Sequence, residues 1–205
     1  MLTRAWLVAF IALAPNASAQ SVFLQSSIGA DIRRFSADPE KSAFDGTGSS
    51  IAIAAGGEFM SHWTASAELD FGTRATRSTT TAVTIFGQPR EIHTSYSSER
   101  RSIAALAGYR MASRRRVRVG CYGGVVFTSF RREIVSDAES IVLQSPAPGS
   151  VYEQRLTGPI VGIDLAVRAG RHVAIVSALR AQGLRIGTEL GGHSIRPSVG
   201  VRIYF

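Results

Sequence analysis

One cysteine, Cys121, and one lysine, Lys41, stand in a chain of 205 residues. A single cysteine excludes a disulfide framework, a cysteine-based zinc site and a CxxC redox pair. Charged residues make up only 19%, and the basic side is almost wholly arginine. No low-complexity run appears, and a hydrophobic content of 45% excludes a disordered chain. Long apolar runs are also missing. Beyond the N-terminus the best candidates, Ile51 to Gly57 and Ile160 to Val167, are far short of the roughly 20 residues a membrane-spanning helix needs. The formal charge of +8 keeps nucleic acid among the partners to be tested.

The N-terminus removes that partner. Arg4 precedes an apolar stretch from Ala5 to Ala14; Pro15 breaks it, and Ala17-Ser18-Ala19 fits a small-residue cleavage pattern. Residues 1–19 are therefore expected to be a secretory signal peptide cleaved after Ala19, with residues 20–205 as one exported domain. Export leaves no place for nucleic acid.

The mature chain alternates with period two, the mark of strands with two different faces. In Ser194 to Phe205, one face carries Ile195, Pro197, Val199, Val201, Ile203 and Phe205. The other carries Ser194, Arg196, Ser198, Gly200, Arg202 and Tyr204. Similar alternation runs through Val22–Arg33, Ile51–Phe59, Trp63–Gly72, Val117–Phe127, Val161–Arg168 and Val173–Gln182. It is weakest in Ile103–Arg110. Eight strands are predicted. The connections Met60-Ser61-His62, Ala112 to Arg116 and Gly170-Arg171-His172 are short. Those over Phe35–Thr47, Thr73–Tyr96, Arg131–Tyr152 and Arg185–His193 are mostly much longer. Short alternating with long is the layout of an up-and-down outer-membrane barrel.

Cost decides which face meets lipid. A charge on the lipid face near the midplane costs about 2–4 kcal/mol, so the apolar face points outward and the charged face into the barrel. A soluble lipocalin-like carrier would need the reverse. Phe59, Trp63, Tyr109 and Phe205 fall on the outward face beside short turns, and Phe71 and Phe127 fall outward near the opposite ends. They are expected to form two girdles of membrane-interface aromatics.

The chain ends Ser198-Val199-Gly200-Val201-Arg202-Ile203-Tyr204-Phe205. With the alternating strands, this resembles the small eight-stranded outer-membrane barrels of Gram-negative bacteria, the OmpA/OmpX type. Such families end in an assembly signal of polar, any, Gly, two of any, apolar, any and terminal aromatic, matched here at Ser198, Gly200, Ile203 and Phe205. The resemblance covers the mature chain in architecture and implies recognition by the barrel-assembly machinery.

An eight-stranded barrel is just wide enough for its own side chains to fill. The inward set Glu58, Glu68, Asp70 and Asp164 with Arg118, Arg168, Arg180 and Arg202 is expected to pair and plug the lumen, since buried charges persist only when paired. A gate that opens for small ions is the competing reading. No HExxH or two-histidine cluster occurs among His62, His93, His172 and His193, so no metal and no cofactor are expected. Glu189, His193 and Ser194 are the one trio that could serve acyl transfer at the outer rim, as in lipid A-modifying barrel enzymes. Adjacent His and Ser point to opposite faces of a strand, so an enzyme is the runner-up. Cys121 reads as a small outward hydrophobe, and Arg114-Arg115-Arg116 as cations reaching headgroups.

Binding is expected in the long loops. Thr79–Phe86 and Glu91–Tyr96 would extend strands three and four as a hairpin with Gly87-Gln88-Pro89 as its tip, and Arg74 and Arg77 would meet lipopolysaccharide phosphates. The reading is an all-β, eight-stranded antiparallel transmembrane barrel, monomeric and non-enzymatic, in the outer membrane. Its partners would be outer-membrane lipids, lipopolysaccharide and the assembly machinery, and its role structural or surface-interacting.

Overall fold

The computed structural model describes residues 21–35, 46–60, 62–85, 88–114, 116–137, 151–186 and 189–205. The expected signal peptide and its cleavage site lie outside them. Eight strands follow in order: β1 (Ser21–Phe35), β2 (Gly46–Phe59), β3 (Trp63–Ile85), β4 (Gln88–Arg114), β5 (Val117–Asp137), β6 (Val151–Arg168), β7 (Val173–Ile186) and β8 (Glu189–Tyr204). Each pairs antiparallel with the next, and β8 returns to β1, giving a closed barrel. Closure leaves no sheet edge within the barrel wall.

The alternation drives this arrangement in an inverted sense. On β1, Phe23, Gln25, Ser27, Asp31 and Arg33 are buried, while Val22, Leu24, Ile28 and Ile32 are exposed. On β8, Arg196, Arg202 and Tyr204 are buried, while Ile195, Val199, Val201 and Ile203 are exposed. Charge lies inside and hydrocarbon outside. Gly57 is outward by alternation yet buried, because the Phe59 ring folds over it: a Cβ there would meet the ring at 3.1 Å.

The closing seam depends on glycine. A Cβ on Gly200 of β8 would collide with the Ser26 backbone oxygen of β1 and lie 2.6 Å from the Ser27 Cβ. Ser27 and Gly200 are register partners, so a side chain at 200 would push the two strands apart.

β3 and β4 extend as a hairpin over Thr79–Ile85 and Glu91–Tyr96, as their alternation suggests, and several strands run further still. β3 continues thirteen residues past Gly72 to Ile85, and β4 begins at Gln88 rather than near Ile103. The expected long connections over Thr73–Tyr96 and Arg185–His193 are mostly strand, and only residues 86–87 and 188 with its neighbour 187 separate the elements there. Strict alternation of short and long connections therefore fails. What separates the two ends is strand overhang. The hairpin tip is also corrected: Gln88 pairs with Ile85 and Pro89 with Thr84, so both belong to β4 and not to the tip; Gly87 lies outside the described residues. Threonine-rich sequence favours strand.

β2 pairs with β3 only as far as Ser50 and Gly72, and a register shift in β3 follows between Gly72 and Ala75. A bulge increases local twist and bends the strand. From Ala75 to Ile85, β3 pairs with β4 alone among the described residues. β5 extends the overhanging sheet, reaching Asp137 opposite Thr94.

Candidate functional site

The inward side chains stack along the lumen in three tiers. Near the overhang, Arg100 is fully buried. It donates from Nε to Asp31 Oδ2 at 2.7 Å and from a terminal nitrogen to Ser102 Oγ at 2.8 Å, and it pairs with Asp70. Asp70 also pairs with Arg196, which reaches Glu68 at 3.4 Å. Arg180 stands 3.7 Å from the other Glu68 oxygen. A void of about 10 Å³ remains between Gln25, Ser27, Glu68, Asp70, Arg180 and Arg196, space for about one water molecule.

In the middle tier Arg202 donates to Asp164 at 2.6 Å and to Gln25 Oε1 at 2.8 Å. The Tyr122 hydroxyl donates to the same Asp164 oxygen at 2.8 Å, and the Arg202 guanidinium lies 4.6 Å from the Phe23 ring centroid. Glycine makes room for this cluster. A Cβ on Gly120 would meet Asp164 Oδ1 at 2.6 Å, and one on Gly108 would strike the Tyr122 ring.

At the short-turn end Glu58 pairs with Arg110 and accepts from Arg118 at 3.4 Å. Arg110 also lies 3.5 Å from the Tyr204 hydroxyl.

Of the inward charges singled out in the sequence, Glu58, Glu68, Asp70, Asp164, Arg118, Arg180 and Arg202 all join ion pairs. Arg168 has no carboxylate partner among the described residues; its guanidinium sits 5.8 Å from the Tyr204 ring centroid. Sequence reasoning missed Asp31, Arg33, Arg100, Arg110 and Arg196. Period two put Asp31, Arg33 and Arg196 on the inward face already. Arg100 and Arg110 were hidden by the alanines of β4, which leave its phase undefined.

The outward rings align across strands. Phe59 pairs in register with Trp63, and Trp63 with Tyr109. Trp63 meets Tyr109 edge-on at 5.3 Å, and His62 stacks on Tyr109 at 5.7 Å. Phe205 is exposed at the same end; Phe71 and Phe127 are exposed toward the other. At about 3.3 Å per residue, Trp63 and Phe71 are about 26 Å apart along β3. That becomes about 20 Å along the axis for a strand tilt of about 40°. Cys121 is half-buried beside this row, its Sγ 3.6 Å from the Tyr109 carbonyl oxygen.

The hydrolase trio does not assemble. Ser194 is fully buried and donates from Oγ to Asp31 at 2.6 Å, while His193 lies exposed on the opposite face. The Glu189 side chain is outside the described ones, as are those of Arg74, Arg77 and Arg114. Arg115 is not described; Arg116 is an exposed turn residue. Among the described residues no group of three His, Cys, Asp or Glu could hold a metal ion.

No protein-family model and no curated protein sequence matches the chain. Solved structures do resemble it. Neisserial surface protein A aligns with a TM-score of 0.56 at 18% identity, over 90% of this chain and 97% of that one. OprG, an outer-membrane protein from Pseudomonas aeruginosa, gives 0.52 at 11% identity over 91% and 97%. Ail, the attachment invasion locus protein of Yersinia pestis, solved with the heparin analogue sucrose octasulfate, gives 0.51 at 13% identity over 90% and 99%. The fold is that of the small eight-stranded outer-membrane barrels.

Proposed function

We propose that the chain is an integral outer-membrane protein with its short turns in the periplasm, its lumen closed by ion pairs and its working surface on the overhang. The inverted burial carries this reading. Exposed Ile28, Val125, Val161, Ile175 and Val199 form an apolar outer wall around buried Arg100, Asp70, Arg202 and Asp164. In water such a wall would be a large exposed hydrophobic patch; in lipid it is the solvated surface. The void of about 10 Å³ beside Asp70 favours a plug over an open pore, and buried Ser194 gives the acyl-transfer alternative no support.

The overhang supports a surface-interaction role. Along Ala75–Ile85 the backbone of β3 is paired on one side only among the described residues. An unpaired strand edge can add an extended segment of a partner. Arg74 and Arg77 stand on β3 just beyond Gly72, where lipopolysaccharide phosphates would lie. Residues 1–19 act as the cleaved export signal, and Ser198, Gly200, Ile203 and Phe205 as the assembly signal.

The test is fractionation combined with labelling in a Cys121→Ser background. The mature protein, starting at Gln20, should fractionate with the outer membrane and migrate differently before and after boiling. A cysteine replacing exposed Gln88 should react with an impermeant maleimide in intact cells. One replacing exposed Met60 should react only after the outer membrane is permeabilised. Recovery as a soluble periplasmic protein, or the opposite labelling pattern, refutes the reading.

A further inference from the structure

Charge does not balance at the short-turn mouth of the lumen. Arg110, Arg118 and Arg168 enter it from the ends of β4, β5 and β6, and Glu58 is the one carboxylate among the described residues that these arginines engage. Arg110 holds Glu58 by ion pairing, and Arg118 reaches the same Oε2 oxygen at 3.4 Å. Arg168 reaches no carboxylate among the described residues. Its Nε is buried without a hydrogen-bond partner, and its guanidinium shares the Tyr204 ring with Arg110, at 5.8 and 6.0 Å from the centroid. In register Arg118 is a diagonal neighbour of both Arg110 and Arg168, since Arg110 pairs with Gly120 and Arg118 with Ala166, each two residues away along the strand. The tier above has no such excess, since Arg202 is matched by Asp164.

The mouth is also open. The Arg118 side chain is 23% exposed, and the turns on either side of β5 and β6 carry exposed Arg116 and Arg171. The Tyr204 ring draws in two of the guanidiniums, but three cations around one carboxylate still repel one another at short range. An arriving anion would reverse that repulsion.

We propose that this mouth binds a phosphate-type oxyanion, gripped by Arg118 and Arg168, with Arg110 held behind them by Glu58. Guanidinium forks donate parallel N–H bonds that suit phosphate oxygens, and the local excess of positive charge matches a phosphate better than a halide. The phosphate can come from solution or from a lipid headgroup reaching over the short β6–β7 turn.

The test uses the folded full-length mature protein. In one arm, the protein in an uncharged maltoside detergent is titrated with inorganic phosphate at constant ionic strength, against chloride, by calorimetry or by arginine Nε resonances. In the other, the protein in phosphatidylcholine nanodiscs is compared with nanodiscs containing phosphatidylglycerol, without free phosphate. Saturable binding in the first arm assigns a soluble ion, and binding in the second alone assigns a headgroup. In either case Arg168→Gln and Arg118→Gln should weaken it roughly tenfold or more, the scale of one charged hydrogen bond. Glu58→Gln should tighten it by removing the competing carboxylate. Arg155→Gln, at an exposed site in the overhang, should leave it unchanged, and each variant's unboiled gel band checks folding. No saturation in either arm, or Arg168→Gln binding as the parent does, overturns the proposal. Binding in detergent needs only the folded barrel, so its failure is distinct from failure of the membrane reading.

Discussion

Arg202 and Ile203 are neighbours in the chain and occupy opposite environments. The guanidinium of Arg202 is 2% exposed and bonded to Asp164 across the lumen, whereas Ile203 is 40% exposed on the outer wall. The same reversal repeats on every strand of the wall. It makes the protein unsuited to water and suited to a bilayer.

A charge placed on that wall should therefore be costly. Ile28, 67% exposed, lies away from both strand ends of β1. Ile28→Arg should lower folding stability by about 2–4 kcal/mol in bilayers, read by denaturant unfolding in vesicles. A soluble barrel would accept arginine at so exposed a position with almost no change.

The seam gives a prediction about shape alone. Gly200→Val should abolish the heat-modifiable folded form, because its Cβ has no room between Ser26 and Ser27. Gly123→Val, at a position where a Cβ meets nothing within 4 Å, should fold like the parent. The relative intensity of folded and unfolded gel bands decides it.

In the lumen, Asp164→Ala removes the acceptor shared by Arg202 and Tyr122. Leaving a buried charge unpaired costs about 3–5 kcal/mol. Arg155→Ala, whose ion pair with Glu153 is solvent-exposed, should change stability by about 0–1 kcal/mol. Unfolding midpoints of the two variants test the contrast.

The proposed closure of the lumen makes an electrical prediction. In planar bilayers the parent should give at most small, irregular conductance. Asp70→Ala leaves Arg100 and Arg196 without their common partner and should raise it. A large, steady conductance of the parent would mean that the ion pairs do not close the lumen.

The terminal ring tests assembly. Deleting Phe205, or replacing it with Asp, should lower the amount of folded protein in the membrane at matched low expression. Phe44→Ala, in a segment outside the described residues, should not. The Phe205 amide bonds the Val22 carbonyl oxygen at 2.9 Å, so the residue serves closure as well as recognition. Equal recovery of all variants would remove the assembly role.

Period two made the barrel wall legible, because each wall residue meets either lumen or outer surface and the chain must differ accordingly. The same rule marked Glu58, Glu68, Asp70, Asp164, Arg180 and Arg202 as inward. It went silent where the two faces become alike, in the alanines around Leu106; past Gly72 it still marked Thr79–Phe86 and Glu91–Tyr96 as a hairpin, and only the tip was misplaced. Pairing partners were beyond it. That Asp70 would take Arg100 and Arg196, or that Arg168 would face a ring instead of a carboxylate, follows from strand stagger, which no single strand records.

Trp63 offers the most direct test of the central claim that the outer wall faces lipid. In protein produced from Gln20 onward it is the one tryptophan, and it is 53% exposed on the outer face. Its fluorescence should be measured in vesicles of lipids brominated at different depths, with aqueous iodide as the comparison. The account predicts strong quenching by bromines near the headgroup, weaker quenching by bromines near the bilayer centre, and little by iodide. Efficient quenching by iodide with none by brominated lipid would contradict it.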